Sequence, residues 1–321
     1  MQIEPQRGYD IIGDVHGCAD ALERLLALLG YRPLNGVWQH PQRMAVFLGD
    51  IIDRGPQIRA SLDIVRGMVE RGHAHCVMGN HEYYALAWHT PAVAGSRQLF
   101  VRDHNSRHAG LWQATAEAFA AHPQEWQDYL DWFAGLPLFM DAGRFRVVHA
   151  CWDRELIGGV QQRFGGGTVD RAFVQASAEP GSFAHQVFNR LLRGINLPLP
   201  DGLSVTGQDG LLRSTFRARF WEEEQAPQTY AELAFQPDPI PADAAGKRLP
   251  RGFYNQLVQH EASDPLLFVG HYWREGEPAL IRPNLACLDY SAVNGGRLVA
   301  YRLGDEQRLL PENFVWVENR P

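Results

Sequence analysis

The stretch Tyr9-Asp10-Ile11-Ile12-Gly13-Asp14-Val15-His16-Gly17 sets a pattern that recurs along the chain. A short apolar run ends abruptly in glycine, aspartate and histidine. Short apolar runs bounded by glycine are typical of buried β-strands. The sequence therefore predicts a strand over residues 9–12 and a polar loop directly after it.

Four further apolar runs end in the same kind of polar loop. They are 44–48 before Gly49-Asp50-Ile51-Ile52-Asp53-Arg54-Gly55, 74–78 before Gly79-Asn80-His81-Glu82, 145–148 before His149-Ala150, and 266–269 before Gly270-His271. Helical spacing of leucine and other apolar residues over 19–29 and 58–71 separates the early strands. Alternating strands and helices predict an α/β protein. In such sheets ligands collect beyond the carboxyl ends of the strands, where these polar loops lie.

The composition excludes several classes of protein. The chain has 321 residues with 30 Lys and Arg against 37 Asp and Glu, a formal net charge of −7. This acidic balance does not indicate specific nucleic-acid binding. We also expect no membrane span, because no uncharged run approaches the roughly 20 residues that one needs. The first residues lack the apolar core of a signal peptide, and the four cysteines form no Cys-x-x-Cys pair, so we expect a cytoplasmic location.

The remaining segments predict one catalytic domain over 1–321 with two insertions. Residues 83–140 are rich in helix formers and aromatic residues, which predicts a helical insertion with a small core of its own. Residues 152–264 contain a glycine-rich stretch at 158–167 and proline-rich turns, which predicts a loop-rich cap. Two more strands are expected at 286–290 and 298–302, joined by Asn294-Gly295-Gly296.

The polar loops offer a mixed set of oxygen and nitrogen ligands. Such sets suit Mn, Fe or Zn better than Ca, which prefers oxygen alone. In Asp14-Val15-His16 the side chains at positions i and i+2 of an extended segment point to the same side and can bind one ion. A carboxylate on the next loop, Asp50, could bridge two ions. Any one of these loops alone is more often an ordinary turn, but five at strand ends together indicate a metal site.

In this order the motifs resemble those of the calcineurin-like metallophosphoesterases. Asp53-Arg54-Gly55 and the glutamate after Asn80-His81 are similar to the phosphoprotein-phosphatase branch of that family, and within it to the bacterial diadenosine-tetraphosphatase and PrpE-like enzymes. The resemblance implies a sandwich of two mixed β-sheets flanked by helices. It also implies two divalent ions, with Mn²⁺ preferred and Fe, Zn, Ni or Co as alternatives, and attack on phosphorus by a bridging hydroxide without a covalent intermediate.

The resemblance also implies a role for individual residues. The implied metal ligands are Asp14 and His16 for one ion, Asp50 as the bridge, and Asn80, His149 and His271 for the other. His81 would be the general acid and Asp53 would hold and polarise it. Oxygens of the substrate phosphoryl group would be bound by Arg54 and Asn80, with Arg217 and Arg219 as candidates for a second arginine.

Two departures from the family pattern concern the substrate. His149 is followed by Ala150-Cys151-Trp152, so we expect the bulky Trp152 to reshape the rim of the site. Position 273 is Trp, so the Gly-His-x-His ending of the nuclease-type relatives is absent. The sequence leaves two substrate classes open, with dinucleoside polyphosphates such as diadenosine tetraphosphate favoured slightly over phosphoserine or phosphothreonine proteins. A non-catalytic phosphate-binding module is a third interpretation.

Overall fold

Two mixed β-sheets form the centre of this computed structural model, which describes residues 8–93, 98–206, 212–222, 228–235, 240–257 and 260–319. The strands are β1 Gly8–Ile12, β2 Arg32–Leu34, β3 Val37–Gln39, β4 Arg43–Phe47, β5 Ala74–Cys76, β6 Phe139–Asp141, β7 Phe145–Val148, β8 Ile195–Pro198, β9 Val205–Thr206, β10 Leu212–Arg213, β11 Thr215–Ala218, β12 Leu266–Val269, β13 Leu285–Cys287, β14 Asp289–Tyr290, β15 Arg297–Leu303 and β16 Phe314–Glu318. The predicted α/β architecture is therefore confirmed.

Helices cover the sheets and occur in both long segments. They are α1 Ala19–Leu28, α2 Ile58–Glu70, α3 Asn80–His89, α4 Ser106–Phe119, α5 Pro123–Ala134, α6 Arg154–Phe164, α7 Arg171–Ala176, α8 Phe183–Arg193, α9 Tyr230–Leu233 and α10 Ala242–Ala245. Short 3₁₀ turns occur at Pro200–Gly202, Tyr254–Gln256, Ala292–Asn294 and Pro311–Asn313. Within the described ranges, no helix is long and apolar enough to cross a membrane.

The first sheet has the order β14-β15-β1-β4-β5, and β16 pairs with β15. Strands β1, β4 and β5 are parallel, whereas β15 runs antiparallel to β1. The second sheet has the order β13-β12-β7-β6, with β7, β12 and β13 parallel. In both sheets the parallel strands therefore end on one side, which is where the predicted polar loops begin.

The two sheets pack face to face through a dedicated apolar layer. Ile11 and Val46 of the first sheet join Phe145, Val147 and Phe268 of the second in one buried cluster. The opposite face of the first sheet packs against the apolar faces of α1 and α2 in a larger core. Successive strand residues point to opposite faces, so continuous apolar strands are what a sheet buried on both faces requires.

Three predictions about the segments need correction. Residues 158 and 159 lie inside α6, because Asp153 caps that helix and Ile157 and Val160 are buried, so the expected glycine-rich loop begins only at Gly165. The aromatic residues of 83–140 belong to the main core rather than to a small one. The segment 286–290 is divided between both sheets, because the chain crosses from β13 to β14 at Leu288. The boundaries of the insertions stay predictions.

Candidate functional site

Loops from both sheets meet at the carboxyl ends of the parallel strands. Nε2 of His149, after β7, lies 3.4 Å from Oδ2 of Asp50, after β4. The backbone N–H of His271, after β12, donates to Oδ2 of Asp14, after β1, over 3.1 Å. These contacts join one sheet to the other, so the five predicted loops form one buried cluster.

Asp50 and His16 form the first part of this cluster. Nε2 of His16 lies 3.5 Å from Oδ2 of Asp50. Its Nδ1 lies 2.8 Å from the carbonyl oxygen of Ile52, which can only accept, so Nδ1 donates and the lone pair of a neutral ring is on Nε2. His81 offers a further nitrogen here, since the three side chains have candidate ligand atoms within 4.8 Å of one another.

His149, His271 and Asn80 form the second part around the same Asp50. Nδ1 of His149 lies 2.7 Å from the carbonyl oxygen of Leu48, which again leaves Nε2 facing the cluster. One terminal atom of the Asn80 amide lies 3.1 Å from that Nε2 and 2.7 Å from Nδ1 of His271. An amide NH₂ in this position would donate to both ring nitrogens and to the carbonyl oxygen of Leu192, whereas the amide oxygen there would offer a lone pair to a bound cation.

Asp14 has a buried carboxylate oxygen that suits a bound cation. Its Oδ1 is buried and has no hydrogen-bond partner among the described residues. A Cβ on Gly270 would lie 2.1 Å from this oxygen, so only glycine allows the approach of the β12 loop. Burial, together with the nearby Asp289, raises the pKa of Asp14 well above its usual value. A buried carboxylate of this kind is stabilised by coordination to a cation.

The titration behaviour of the other groups fits cation binding. Burial and the neighbouring Arg54 lower the pKa of His16, and burial and Arg217 lower that of His271, so both rings are neutral and could act as metal ligands. Burial acts to lower the pKa of His149, but Asp50 outweighs it and raises the pKa to about 10. The carboxylates therefore stabilise positive charge at the centre of the cluster, and the residues present fit a divalent ion pair.

A hydrogen-bonded group of three side chains lies beside the cluster and consists of His81, Asp53 and Thr115. Nδ1 of His81 lies 2.6 Å from Oδ2 of Asp53. The hydroxyl of Thr115 donates to Oδ1 of Asp53 and accepts from its backbone N–H over 3.1 Å. The imidazole is thereby fixed with Nε2 directed towards Asp50, at 3.9 Å from Oδ2. An oriented imidazole next to a metal cluster can transfer a proton to a leaving group.

The loop between Asp50 and Arg54 has a strained backbone that Glu82 stabilises. Asp50, Asp53 and Arg54 have φ values of 51°, 68° and 68°, which non-glycine residues adopt rarely. The buried carboxylate of Glu82 accepts from the N–H of Asp50 at 2.8 Å and of Ile51 at 2.8 Å. It also accepts from Gly79 at 2.9 Å and so ties the β4 loop to the start of α3.

A cavity of about 960 Å³ opens from the cluster. The arginines among its described lining residues are Arg54, Arg213, Arg217, Arg274 and Arg297. Its carboxylates are Asp14, Asp50, Glu275, Asp289 and Glu318. Because the two sets are equal in number, two bound divalent ions would make the cavity positive and suited to anions, whereas the whole chain is acidic.

The structure separates the two candidates for a second phosphate-binding arginine. Arg217 lines the cavity, and its Nη1 donates to the carbonyl oxygen of His271 over 2.9 Å. Arg219 donates to the carbonyl oxygen of Glu232 and lies 3.0 Å from Glu222, and it is not among the described lining residues. We therefore retain Arg217 alone.

Trp152 does not lie where the sequence suggested. Its side chain is 4% exposed and packs edge-on against Phe139, 5.6 Å between ring centroids. It is absent from the described cavity lining, so the expectation that it reshapes the rim was wrong. The aromatic residues that do line the cavity include Trp273 and Tyr290.

Sequence reasoning missed the roles of several residues. Glu82 was noticed only as part of a motif, and Thr115 was not noticed because a single threonine in a helical segment has no local signal. Arg274 and Arg297 were also missed, although Gly295-Gly296-Arg297 follows a recognisable turn pattern. A turn pattern predicts the local backbone conformation, but it does not predict which cavity a neighbouring side chain lines.

The first half of the chain is similar to known phosphoesterases. Residues 9–155 match the family model of the calcineurin-like phosphoesterases. The asymmetrical bis(5'-nucleosyl)-tetraphosphatase PrpE of Geobacillus sp. (strain WCH70) is 32% identical over 157 residues, 46% of this chain and 59% of the relative. The PrpE of Geobacillus thermodenitrificans (strain NG80-2) is 34% identical over 163 residues, 48% and 61% of the two chains. The chain thus spans about three fifths of the length of these curated relatives.

A solved structure supports the fold over nearly the whole chain. The cold-active protein-tyrosine phosphatase of a psychrophile Shewanella sp. covers 99% of this chain and 83% of its own, with a TM-score of 0.51 and 17% identity. At this identity the similarity concerns the fold alone. The family match over residues 9–155 confirms the predicted resemblance to the calcineurin-like phosphoesterases for that part of the chain.

Proposed function

We propose that this chain is a divalent-metal-dependent phosphohydrolase that cleaves a phosphate ester or anhydride, with dinucleoside polyphosphates as the favoured substrates. The observation that carries the proposal is the convergence of lone-pair atoms around Asp50, next to the ordered pair of His81 and Asp53. The names of the PrpE relatives, bis(5'-nucleosyl)-tetraphosphatases, support the substrate class.

The ligands that we propose for the ion pair are those of the sequence analysis. Asp14 and His16 would bind one ion, Asn80, His149 and His271 the other, and Asp50 both. When bound, the two ions supply an activated water nucleophile and stabilise negative charge on the phosphoryl oxygens. We propose Mn²⁺ as the preferred metal, with Fe, Zn, Ni or Co as alternatives, because the ligands combine nitrogen and oxygen.

The chain's own side chains would complete the reaction. Arg54 and Arg217 would bind phosphoryl oxygens with their planar guanidinium groups, and the Asn80 amide would assist from the metal cluster. His81 would donate a proton to the leaving oxygen from Nε2, while Asp53 accepts at Nδ1 and orients the ring. The nitrogen of His81 near Asp50 leaves a second role open, that of a metal ligand.

Assays with Mn²⁺ on diadenosine tetraphosphate and on a phosphoserine peptide test this proposal. We expect turnover of the dinucleotide, and loss of turnover in both Asp50→Ala and His81→Ala. Arg66→Gln, on α2 beside Glu70 and not among the described lining residues of the cavity, is the matched control and should keep full activity. Turnover of the peptide alone would favour the protein phosphatase.

Two further results would refute the mechanism. Unchanged activity in Asp50→Ala and His81→Ala would exclude the two-metal scheme. A wild-type protein that binds phosphate but hydrolyses neither substrate would be the non-catalytic module.

Metal analysis after loading distinguishes two ions from one, and a His81→Ala protein that binds one ion fewer would identify His81 as a ligand. The cytoplasmic location and the lack of specific nucleic-acid binding remain proposals from the sequence.

A further inference from the structure

Three arginines of the cavity lining, Arg213, Arg274 and Arg297, are not used by the proposed chemistry. The last two are linked, because Arg297 donates a hydrogen bond to Gly276, two residues after Arg274. Arg274 follows β12 by five residues, and Arg297 begins β15. Both line the same cavity as the metal cluster. Two divalent ions, Arg54 and Arg217 already suffice to bind a single phosphoryl group, so a further pair of guanidinium groups would suit a further phosphate of the same substrate.

Arg297 reaches the cavity because of the turn that precedes it. It pairs with Tyr290 in the register of β14 and β15. A Cβ on Gly296 would lie 2.1 Å from the carbonyl oxygen of Tyr290, so this turn can close only with glycine. Gly295 has φ of 76°, a conformation that glycine adopts without strain. The turn at Gly295 and Gly296 therefore determines the backbone position of Arg297, and with it the position from which its side chain extends.

Both guanidinium groups are anchored by backbone carbonyl oxygens. Arg297 donates to Gly276, and Arg274 donates to Ala279 over 2.6 Å. Arg274 also lies over the ring of Tyr290, 5.5 Å from its centroid. A carbonyl dipole orients a guanidinium without cancelling its charge, and each group has five N–H donors, of which these bonds use few.

Carboxylates near the pair only partly offset its charge. Nη2 of Arg297 lies 4.0 Å from Oε1 of Glu318, the outer limit of an ion pair, and both side chains are partly exposed. Glu275, next in sequence to Arg274, also lines the cavity. Exposed pairs at this distance contribute little, so the positive charge remains available to a ligand.

We infer that Arg274 and Arg297 form a distal arginine pair, which binds the phosphate groups of a polyphosphate leaving chain. This rests on the proposed function and narrows its substrate class to anhydrides with several phosphates. A water oxygen would bond to the scissile phosphorus and give up one proton to solvent, and the bridging P–O bond would break. The bridging oxygen would leave with the remaining phosphates and the proton of His81, which solvent would then replace. The distal pair would hold those phosphates before and after cleavage.

The test compares substrates with one and with several phosphates. The variants Arg274→Gln and Arg297→Gln are assayed with Mn²⁺ on diadenosine tetraphosphate and p-nitrophenyl phosphate. We expect the ratio of kcat/KM for the dinucleotide over the monoester to fall by about 10-fold or more in each variant, the loss of roughly one charge-assisted hydrogen bond. Arg66→Gln, outside the cavity, should keep the wild-type ratio.

A binding measurement keeps the inference testable without turnover. Calorimetry with inorganic tripolyphosphate in Mn²⁺ should show weaker binding to both variants by a similar factor, whereas orthophosphate should lose less affinity. An unchanged substrate ratio together with unchanged tripolyphosphate affinity would overturn the distal pair. A wild-type protein that hydrolyses neither substrate would refute the proposed function, and tripolyphosphate binding would still decide the role of the pair.

Discussion

Replacement of Glu82 by glutamine tests whether a buried carboxylate keeps the Asp50 loop in place. Oε2 of Glu82 accepts from the N–H groups of Asp50 at 2.8 Å and Gly79 at 2.9 Å. A glutamine whose oxygen keeps the Ile51 contact turns its NH₂ towards these two donors. Two hydrogen bonds to a charged acceptor are then lost, at about 1.5–3 kcal/mol each.

Part of this loss of hydrogen-bond free energy is offset by an electrostatic gain. Burial, together with the nearby Asp50, raises the pKa of Glu82, so the native carboxylate carries an electrostatic cost that glutamine removes. We therefore expect the lower end of the range, a decrease of about 3 kcal/mol in the free energy of unfolding. Because Asp50 also loses a support for its left-handed conformation, the Mn²⁺ concentration for half-maximal activity should rise by about 10–100-fold.

Urea unfolding in EDTA measures the stability, and activity against Mn²⁺ concentration measures the metal requirement. Glu70→Gln, on the exposed surface of α2, is the control and should change the free energy of unfolding by less than about 0.5 kcal/mol. If Glu82→Gln matched this control in both measurements, the reasoning about the Asp50 loop would be refuted.

Four further predictions concern other parts of the structure. Thr115→Val removes both hydrogen bonds to Asp53, so the unfolding free energy should fall by about 1–3 kcal/mol and kcat should fall, and an unchanged kcat would contradict the orienting role. Arg43→Met removes the Nε–H that both oxygens of buried Asp10 accept, and leaves it the Tyr31 hydroxyl and the more distant Arg302, so urea unfolding should show a loss of about 3 kcal/mol; a loss below 1 kcal/mol would contradict a buried pair. Burial raises the pKa of Cys18 to about 11, so thiol reagents should label the folded protein slowly at pH 8 and faster as the pH rises towards 11, and rapid labelling at pH 8 would be inconsistent with this burial. Mn²⁺ at 100 times its dissociation constant should stabilise the protein by about 2.7 kcal/mol in thermal unfolding, reversed by EDTA, and a midpoint unaffected by Mn²⁺ would exclude binding to the folded state.

Local patterns in the sequence predicted most of the central fold. The strands 145–148 and 266–269 have the predicted bounds, and helices 19–29 and 58–71 differ from α1 and α2 by one residue. Apolar periodicity and glycine at strand ends are patterns within short segments, so they predict these elements without any knowledge of tertiary contacts. The helix at 158–159 could not be predicted locally, because Gly158 and Gly159 are weak helix formers. The Asp153 cap and the close approach of Phe183 of α8 to Gly159 stabilise that helix.

The residue types of the site, and their positions at strand ends, were determined by the sequence alone. Which atoms meet was decided by the sandwich, because His149 and Asp50 come from different sheets and touch only when those sheets pack face to face. The tertiary structure also decided the place of Arg297 in the cavity lining. The turn at Gly296 positions its backbone, and a carbonyl oxygen accepts from its guanidinium group. Spacing along a chain records local geometry, whereas distances between loops depend on the twist and packing of whole sheets.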